Sequence, residues 1–160
     1  PILLAHTLGN VTDLTNVVIG FFSFSISASF VYVLNDLLDL DSDRSHPRKK
    51  KRPLASGDLP IQIGIVLVPL LLILGIGLSF LLSQKFQLIL FSYIIITTAY
   101  SFSLKKVPIL DIILLATLFT TRIVAGAFAA NVYLSMWILA FSMFFFMNLA
   151  VLKRYTELLV

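Results

Sequence analysis

Residues 14–52, LTNVVIGFFSFSISASFVYVLNDLLDLDSDRSHPRKKKR, decide how the chain is read. From Leu14 to Leu34 the stretch is apolar or small, about the length a helix needs to cross the hydrocarbon core of a bilayer. It then turns abruptly acidic at Asn35, Asp36, Asp39, Asp41 and Asp43, and within three residues cationic, from His46-Pro47-Arg48 through Lys49, Lys50, Lys51 and Arg52. A membrane helix ending in carboxylates that gather divalent metal, beside cations that gather phosphate, is more than a topology signal.

The rest of the chain places this stretch in a membrane. Hydrophobic residues make up 59% of the 160 and charged residues 12%, with a mean hydropathy of +1.00, too apolar for a soluble domain of this size. Four further apolar stretches, Ile61 to Ser83, Phe86 to Leu104, Ile109 to Ala130 and Tyr133 to Leu152, give five expected spans. Lipid satisfies no backbone hydrogen bond and no alternating strand pattern is present, so the expected fold class is all-α, a polytopic transmembrane helix bundle. Asp58 with Pro60 reads as a cap and first-turn proline for the second span, and Pro108 opens the fourth in the same way. Small pairs such as Ser25 with Ser29, and Gly126 with Ala130, read as points of close helix approach. No repeat or domain boundary divides the chain, and Pro1 in place of an initiator Met reads as the start of a fragment.

Five crossings put the loop after the first span, the loop after the third and the tail after the fifth on one side. Ten of the twelve cations, Arg44, Arg48, Lys49, Lys50, Lys51, Arg52, Lys105, Lys106, Lys153 and Arg154, fall there, against Lys85 on the other. The positive-inside rule makes that side cytoplasmic, in a bacterial-type plasma membrane. The net charge of +4 therefore reflects topology, and nucleic-acid binding is excluded because the basic string carries no aromatic stacking platform. Without cysteine there is no disulfide or thiolate metal site. Serine-hydrolase, Walker and zinc-protease motifs are missing as well.

On a helix, Asp36, Asp39 and Asp43 stand at i, i+3 and i+7 and share a face, with Asn35 on its border and Asp41 pointing away. All-oxygen ligands suit Mg²⁺, with Mn²⁺ as the alternative, and Mg²⁺ draws part of its shell from phosphate, so a phosphorylated substrate is implied. Pro47, Pro53 and Ser56-Gly57 point to a shaped loop whose cations can neutralise phosphates that the metal does not reach. Arg122 lies deep in the fourth span, on the face of Asp111 and about 16 Å from it along the axis. An arginine at that depth serves either a salt bridge or a substrate's charged group. Tyr100, Lys105, Lys153, Arg154 and Glu157 gain weight only by converging on the same side. His6 and His46 have no second metal-type ligand nearby and are not read as catalysts.

The string Asn35-Asp36-x-x-Asp39-x-x-x-Asp43 resembles the first aspartate-rich motif of the UbiA prenyltransferase superfamily. Arg52-Pro53-Leu54-Ala55-Ser56-Gly57, Tyr100-Ser101, Leu104-Lys105, Leu110-Asp111-Ile112, Arg122 and Lys153-Arg154-Tyr155-x-Glu157 look like its decaprenyl-phosphate phosphoribosyltransferase branch. The resemblance implies a fold of about nine transmembrane helices, of which residues 1–160 are a partial domain lacking N-terminal and C-terminal parts. It implies Mg²⁺ held by Asn35, Asp36, Asp39 and Asp43. It also implies phosphate binding by Lys49, Arg52, Lys105 and Arg122, with Lys153 and Arg154 at the 5-phosphate or the acceptor. The implied reaction moves 5-phosphoribose from phosphoribosyl pyrophosphate to a polyprenyl phosphate. Lys153-Arg154-x-x-Glu157 stands where most of the superfamily carries paired aspartates, which disfavours an aromatic acceptor. The rival readings are transfer of a prenyl chain from its diphosphate to an aromatic or other acceptor, a cation transporter subunit, and a lipid-binding scaffold.

Overall fold

Five long helices occupy the five apolar stretches in a computed structural model that describes residues 11–102 and 108–158. They are α1 (Val11–Leu38), α4 (Ile61–Ser79), α5 (Gln84–Phe102), α6 (Pro108–Ala129) and α7 (Met136–Leu158), each long and apolar enough to cross a membrane. Between α1 and α4 lie a short helix α2 (Leu40–Ser45), a 3₁₀ turn at Lys49–Lys51 and a single helical turn α3 (Pro53–Ser56). No strand occurs among the described residues. Large apolar side chains such as Ile73, Ile95 and Trp137 point outward, as expected where lipid is the solvent.

Helix ends depart from expectation for local reasons. The second span stops at Ser79 because Phe80, Leu81 and Leu82 tighten into turns onto Gly77, Leu78 and Ser79. The fifth begins at Met136, after a turn in which Asn131 takes a positive φ of 51°. Pro108 does open α6, while the expected end of the third span at Leu104 lies outside the described residues. Asp58 is not the cap of α4. Its carboxylate accepts the Ser56 hydroxyl at 2.7 Å, and Pro60 takes the cap position with its carbonyl receiving the amides of Ile63 and Gly64.

The core forms where α1 meets α4, α5 and α6, and α7 packs chiefly on α6. Phe86, Leu90 and Tyr93 of α5 are fully buried with Leu118 and Ala125 of α6 and Phe24 of α1. The close approach to α4 is made by Ser23 and Ser27, both buried, rather than by Ser25 and Ser29. The Ser23 hydroxyl donates to the Gly75 carbonyl at 2.7 Å, whereas exposed Ser29 bonds back to its own helix at Ser25. A Cβ on Gly75 would strike the Ser27 hydroxyl, and one on Gly20 would come within 2.9 Å of Ala129 on α6. Small residues thus let these helices touch where hydrophobic pressure cannot drive them together.

Candidate functional site

The acidic string sits on a helix that breaks. α1 ends at Leu38, Asp39 leaves helical geometry at φ −95°, ψ 8°, and α2 resumes at Leu40. Backbone bonds nevertheless span the break, from the Asp39 amide to Asn35 at 2.9 Å and from the Asp43 amide to Asp39 at 2.8 Å. The expected common face is therefore bent. Asn35, Asp36 and Asp39 open on a cavity, while Asp43 turns inward and is only 1% exposed.

The basic string is sorted just as sharply by a folded platform. The His46 Nδ1 accepts the amides of Arg48 and Lys49 at 3.2 and 3.4 Å, which shapes the turn and gives this histidine a local structural partner. Pro53 starts α3, and Gly57 ends it at φ 91°, a left-handed value that suits glycine. Leu54, 3% exposed, anchors the platform against Leu37 of α1 and the face of Gly64 on α4. Arg44, Arg48, Lys50 and Lys51 remain exposed, whereas Lys49 and Arg52 line the cavity. One Arg52 nitrogen, Nη1, donates to Asp36 Oδ1 at 2.9 Å and to Asp43 Oδ2 at 2.7 Å. The second oxygen of Asp43, Oδ1, is buried with no hydrogen-bond partner.

This cavity, about 670 Å³, is closed on its far side by Lys153 and Arg154 of α7 and by Tyr100 and Asp111, whose side chains are hydrogen-bonded to each other. It adjoins a smaller chamber of about 110 Å³ through the shared walls of Tyr32, Asn35, Tyr100, Leu115 and Phe119. Arg122 lines that chamber and also a third, apolar groove of about 380 Å³ between α1 and α6, walled by residues such as Phe21, Phe24 and Ala125. Its Nη2 donates to the Tyr93 hydroxyl at 3.0 Å, and its guanidinium lies 4.9 Å from the Phe119 ring centroid and 5.7 Å from that of Tyr93. The Arg122 Nε is buried with no hydrogen-bond partner, and no carboxylate pairs with Arg122 among the described residues. The structural salt bridge considered for it is not formed.

Ten of the twelve residues singled out from the sequence can be placed fully. Asn35, Asp36, Asp39, Lys49, Arg52, Tyr100, Lys153 and Arg154 converge on one cavity, Arg122 lines the chamber that adjoins it, and Asp43 is buried beside it. Lys105 falls outside the described residues, and Glu157 is described only through its backbone in α7. Tyr32, Tyr93 and Phe119 were missed. Spacing carried a signal for two of them: Tyr32 precedes Asp36 by four residues, and Tyr93 precedes Tyr100 by seven, so each shares a helix face with a selected residue.

Asn35, Asp36 and Asp39 offer only oxygen donors, the set that a hard divalent cation prefers. Among the described residues no three carboxylate or imidazole groups gather tightly enough to hold a metal alone. That is compatible with Mg²⁺, which commonly uses one or two carboxylates and completes its shell with water and phosphate oxygens.

The sequence pattern of the UbiA prenyltransferase family matches residues 2–157. The chain belongs to this family. It is an integral membrane protein with the family's all-helical fold. It is 37% identical over 158 residues to the decaprenyl-phosphate phosphoribosyltransferase of Corynebacterium glutamicum, covering 98% of this chain and 48% of that protein. It is 36% identical over 157 residues to the uncharacterized protein y4nM of Sinorhizobium fredii, covering 98% of this chain and 30% of that one. The chain thus spans less than half the length of these curated relatives. A UbiA homologue from Archaeoglobus fulgidus, solved bound to DMAPP and Mg²⁺, superposes with a TM-score of 0.77 at 24% identity, over 85% of this chain and 50% of that one.

Proposed function

We propose that this UbiA chain carries the polar site of a membrane-embedded transferase that moves 5-phosphoribose from phosphoribosyl pyrophosphate to a polyprenyl phosphate. The observation that carries this reading is the position of Arg122, which lines both the small chamber adjoining the large cavity and the apolar groove. A guanidinium at this junction suits the phosphate of an anionic lipid whose tail runs along the groove. The similarity to the Corynebacterium phosphoribosyltransferase supports the same choice.

In this scheme the pyrophosphate of the donor occupies the large cavity. Asn35, Asp36 and Asp39 would hold Mg²⁺, which when bound neutralises charge building on the departing pyrophosphate. Lys49, Lys153 and Arg154 bind and orient the donor's phosphates from the facing walls. Arg122 holds the acceptor phosphate, already anionic, so attack on C1 of the ribose needs no strong general base. The Phe119 ring and the Tyr93 hydroxyl hold the guanidinium in position. The charge bias of the loops supports a cavity that opens to the cytoplasm.

The test uses the full-length protein in membranes, labelled phosphoribosyl pyrophosphate and polyprenyl phosphate. Label is expected in the lipid fraction, and Arg122→Met should remove most of it. A wild-type preparation that labels no lipid, yet transfers a prenyl chain from polyprenyl diphosphate to an aromatic acceptor, would overturn the reading in favour of prenyl transfer.

A further inference from the structure

Arg52 is held through its backbone and its side chain alike. Its amide bonds the Lys49 carbonyl at 2.9 Å, its carbonyl receives the Ser56 amide at 2.8 Å, and Pro53 and buried Leu54 follow it. From this fixed backbone its Nη1 bridges two carboxylates on opposite sides of the α1–α2 break, one facing the cavity and one buried. Asp43 cannot be left without that cation, since its Oδ1 already lacks a partner and a buried unpaired carboxylate is strongly destabilising.

Charge balance gives the bridge a second consequence. Among the described residues the cavity is lined by Lys49, Arg52, Lys153 and Arg154 and by Asp36, Asp39 and Asp111, with Asp43 buried beside it and Arg122 in the adjoining chamber, so carboxylates do not outnumber cations. A bare divalent ion would add two uncompensated charges and would compete with Arg52 for Asp36 Oδ1. A divalent ion arriving on a diphosphate brings its own negative charge, and the competition is relieved.

We propose that Arg52 is a tethered counter-cation: it occupies Asp36 in the substrate-free protein, excludes bare metal, and gives up that carboxylate only to a metal–diphosphate complex. Asp43 is then the positioning residue that holds Arg52, in place of the metal ligand and phosphate ligand that the sequence alone assigned to this pair. The inference rests on the diphosphate site proposed above and is indifferent to whether the group transferred is ribosyl or prenyl.

The test is Mn²⁺ binding to the full-length protein in detergent, followed by electron paramagnetic resonance with and without inorganic pyrophosphate. Wild type should bind Mn²⁺ weakly alone and much more tightly with pyrophosphate. Arg52→Gln should bind bare Mn²⁺ roughly ten-fold more tightly than wild type, within the range that neighbours of metal ligands exert. Arg52→Lys, which keeps the charge, should stay close to wild type. If Arg52→Gln fails to fold because Asp43 is left unpaired, the double variant Arg52→Gln/Asp43→Asn removes that charge and should show the same gain. Unchanged bare-Mn²⁺ affinity in the folded variants, with the pyrophosphate effect lost, would make Arg52 a phosphate ligand and overturn the proposal. Absence of Mn²⁺ binding even with pyrophosphate would overturn both this proposal and the diphosphate site. Normal Mn²⁺ behaviour with no lipid labelling would sink only the phosphoribosyl reading.

Discussion

Two places in the molecule bury polar groups between the same helix and its neighbours, and they do so by opposite means. Along the α1–α4 seam, Ser23 donates to the Gly75 carbonyl, a neutral contact that needs nothing from outside. At the α1–α2 break, Asp36 and Asp43 share one guanidinium nitrogen and one carboxylate oxygen remains without a partner. The seam is built from neutral groups and serves packing, even though the Ser27 hydroxyl is buried there without a partner. The break leaves charge in tension beside a cavity, the arrangement expected where a charged ligand is to be exchanged.

If that division is right, substitutions at the break and cavity alter chemistry before stability, and substitutions at the seam do the reverse. Asp36→Ala in the full-length protein should lower turnover with saturating Mg²⁺ by about 10² to 10³-fold, the scale for losing a group aimed at developing charge. Unchanged Mg²⁺-dependent turnover would break the comparison outright. Arg122→Met should cost about 10²-fold in kcat/KM for the lipid phosphate, with a smaller change for phosphoribosyl pyrophosphate, since an unpaired buried charge partner is worth about 2–5 kcal/mol. Equal losses for both substrates would show that Arg122 shapes the bundle and does not seat the acceptor.

The seam gives the smaller effects. Gly75→Ala places a methyl against the Ser27 hydroxyl and backbone, and overpacking of this kind costs about 1–3 kcal/mol. It should appear as a lower midpoint of thermal unfolding in detergent, with KM values unchanged. Ser23→Ala removes one interhelical hydrogen bond, worth about 0.6 kcal/mol in membrane helices. A shift in substrate KM from either variant would mean that seam and site are coupled.

The spans were legible in the sequence because length and polarity are local properties, as was the gathering of Asp36, Asp39, Lys49, Lys153 and Arg154 at one end. What could not be read depends on partners distant in sequence. Nothing around Asp39 announces that α1 stops there, because the backbone bonds continue through the break. Arg52 was singled out from its string as a phosphate ligand, but its pairing with Asp36 and Asp43 depends on the platform that Leu54 seats beside Gly64. Ser23 and Ser25 differ by two positions and face different neighbours, so only the placement of α4 distinguishes them. Asp58 had the right residue type for a cap and the wrong partner nearby, the Ser56 hydroxyl.

Leu54 also divides its segment by tolerance to changes in length. Ahead of Arg52 the side chains of Arg48, Lys50 and Lys51 are exposed, so an added residue there disturbs the local turn bonds but no anchor among the long helices. Between Arg52 and Leu54 only Pro53 intervenes, with the leucine wedged among membrane helices and the guanidinium on its carboxylates. A single inserted residue at that point would rotate one anchor away from its socket, so the reading frame of this loop is dictated from inside the bilayer.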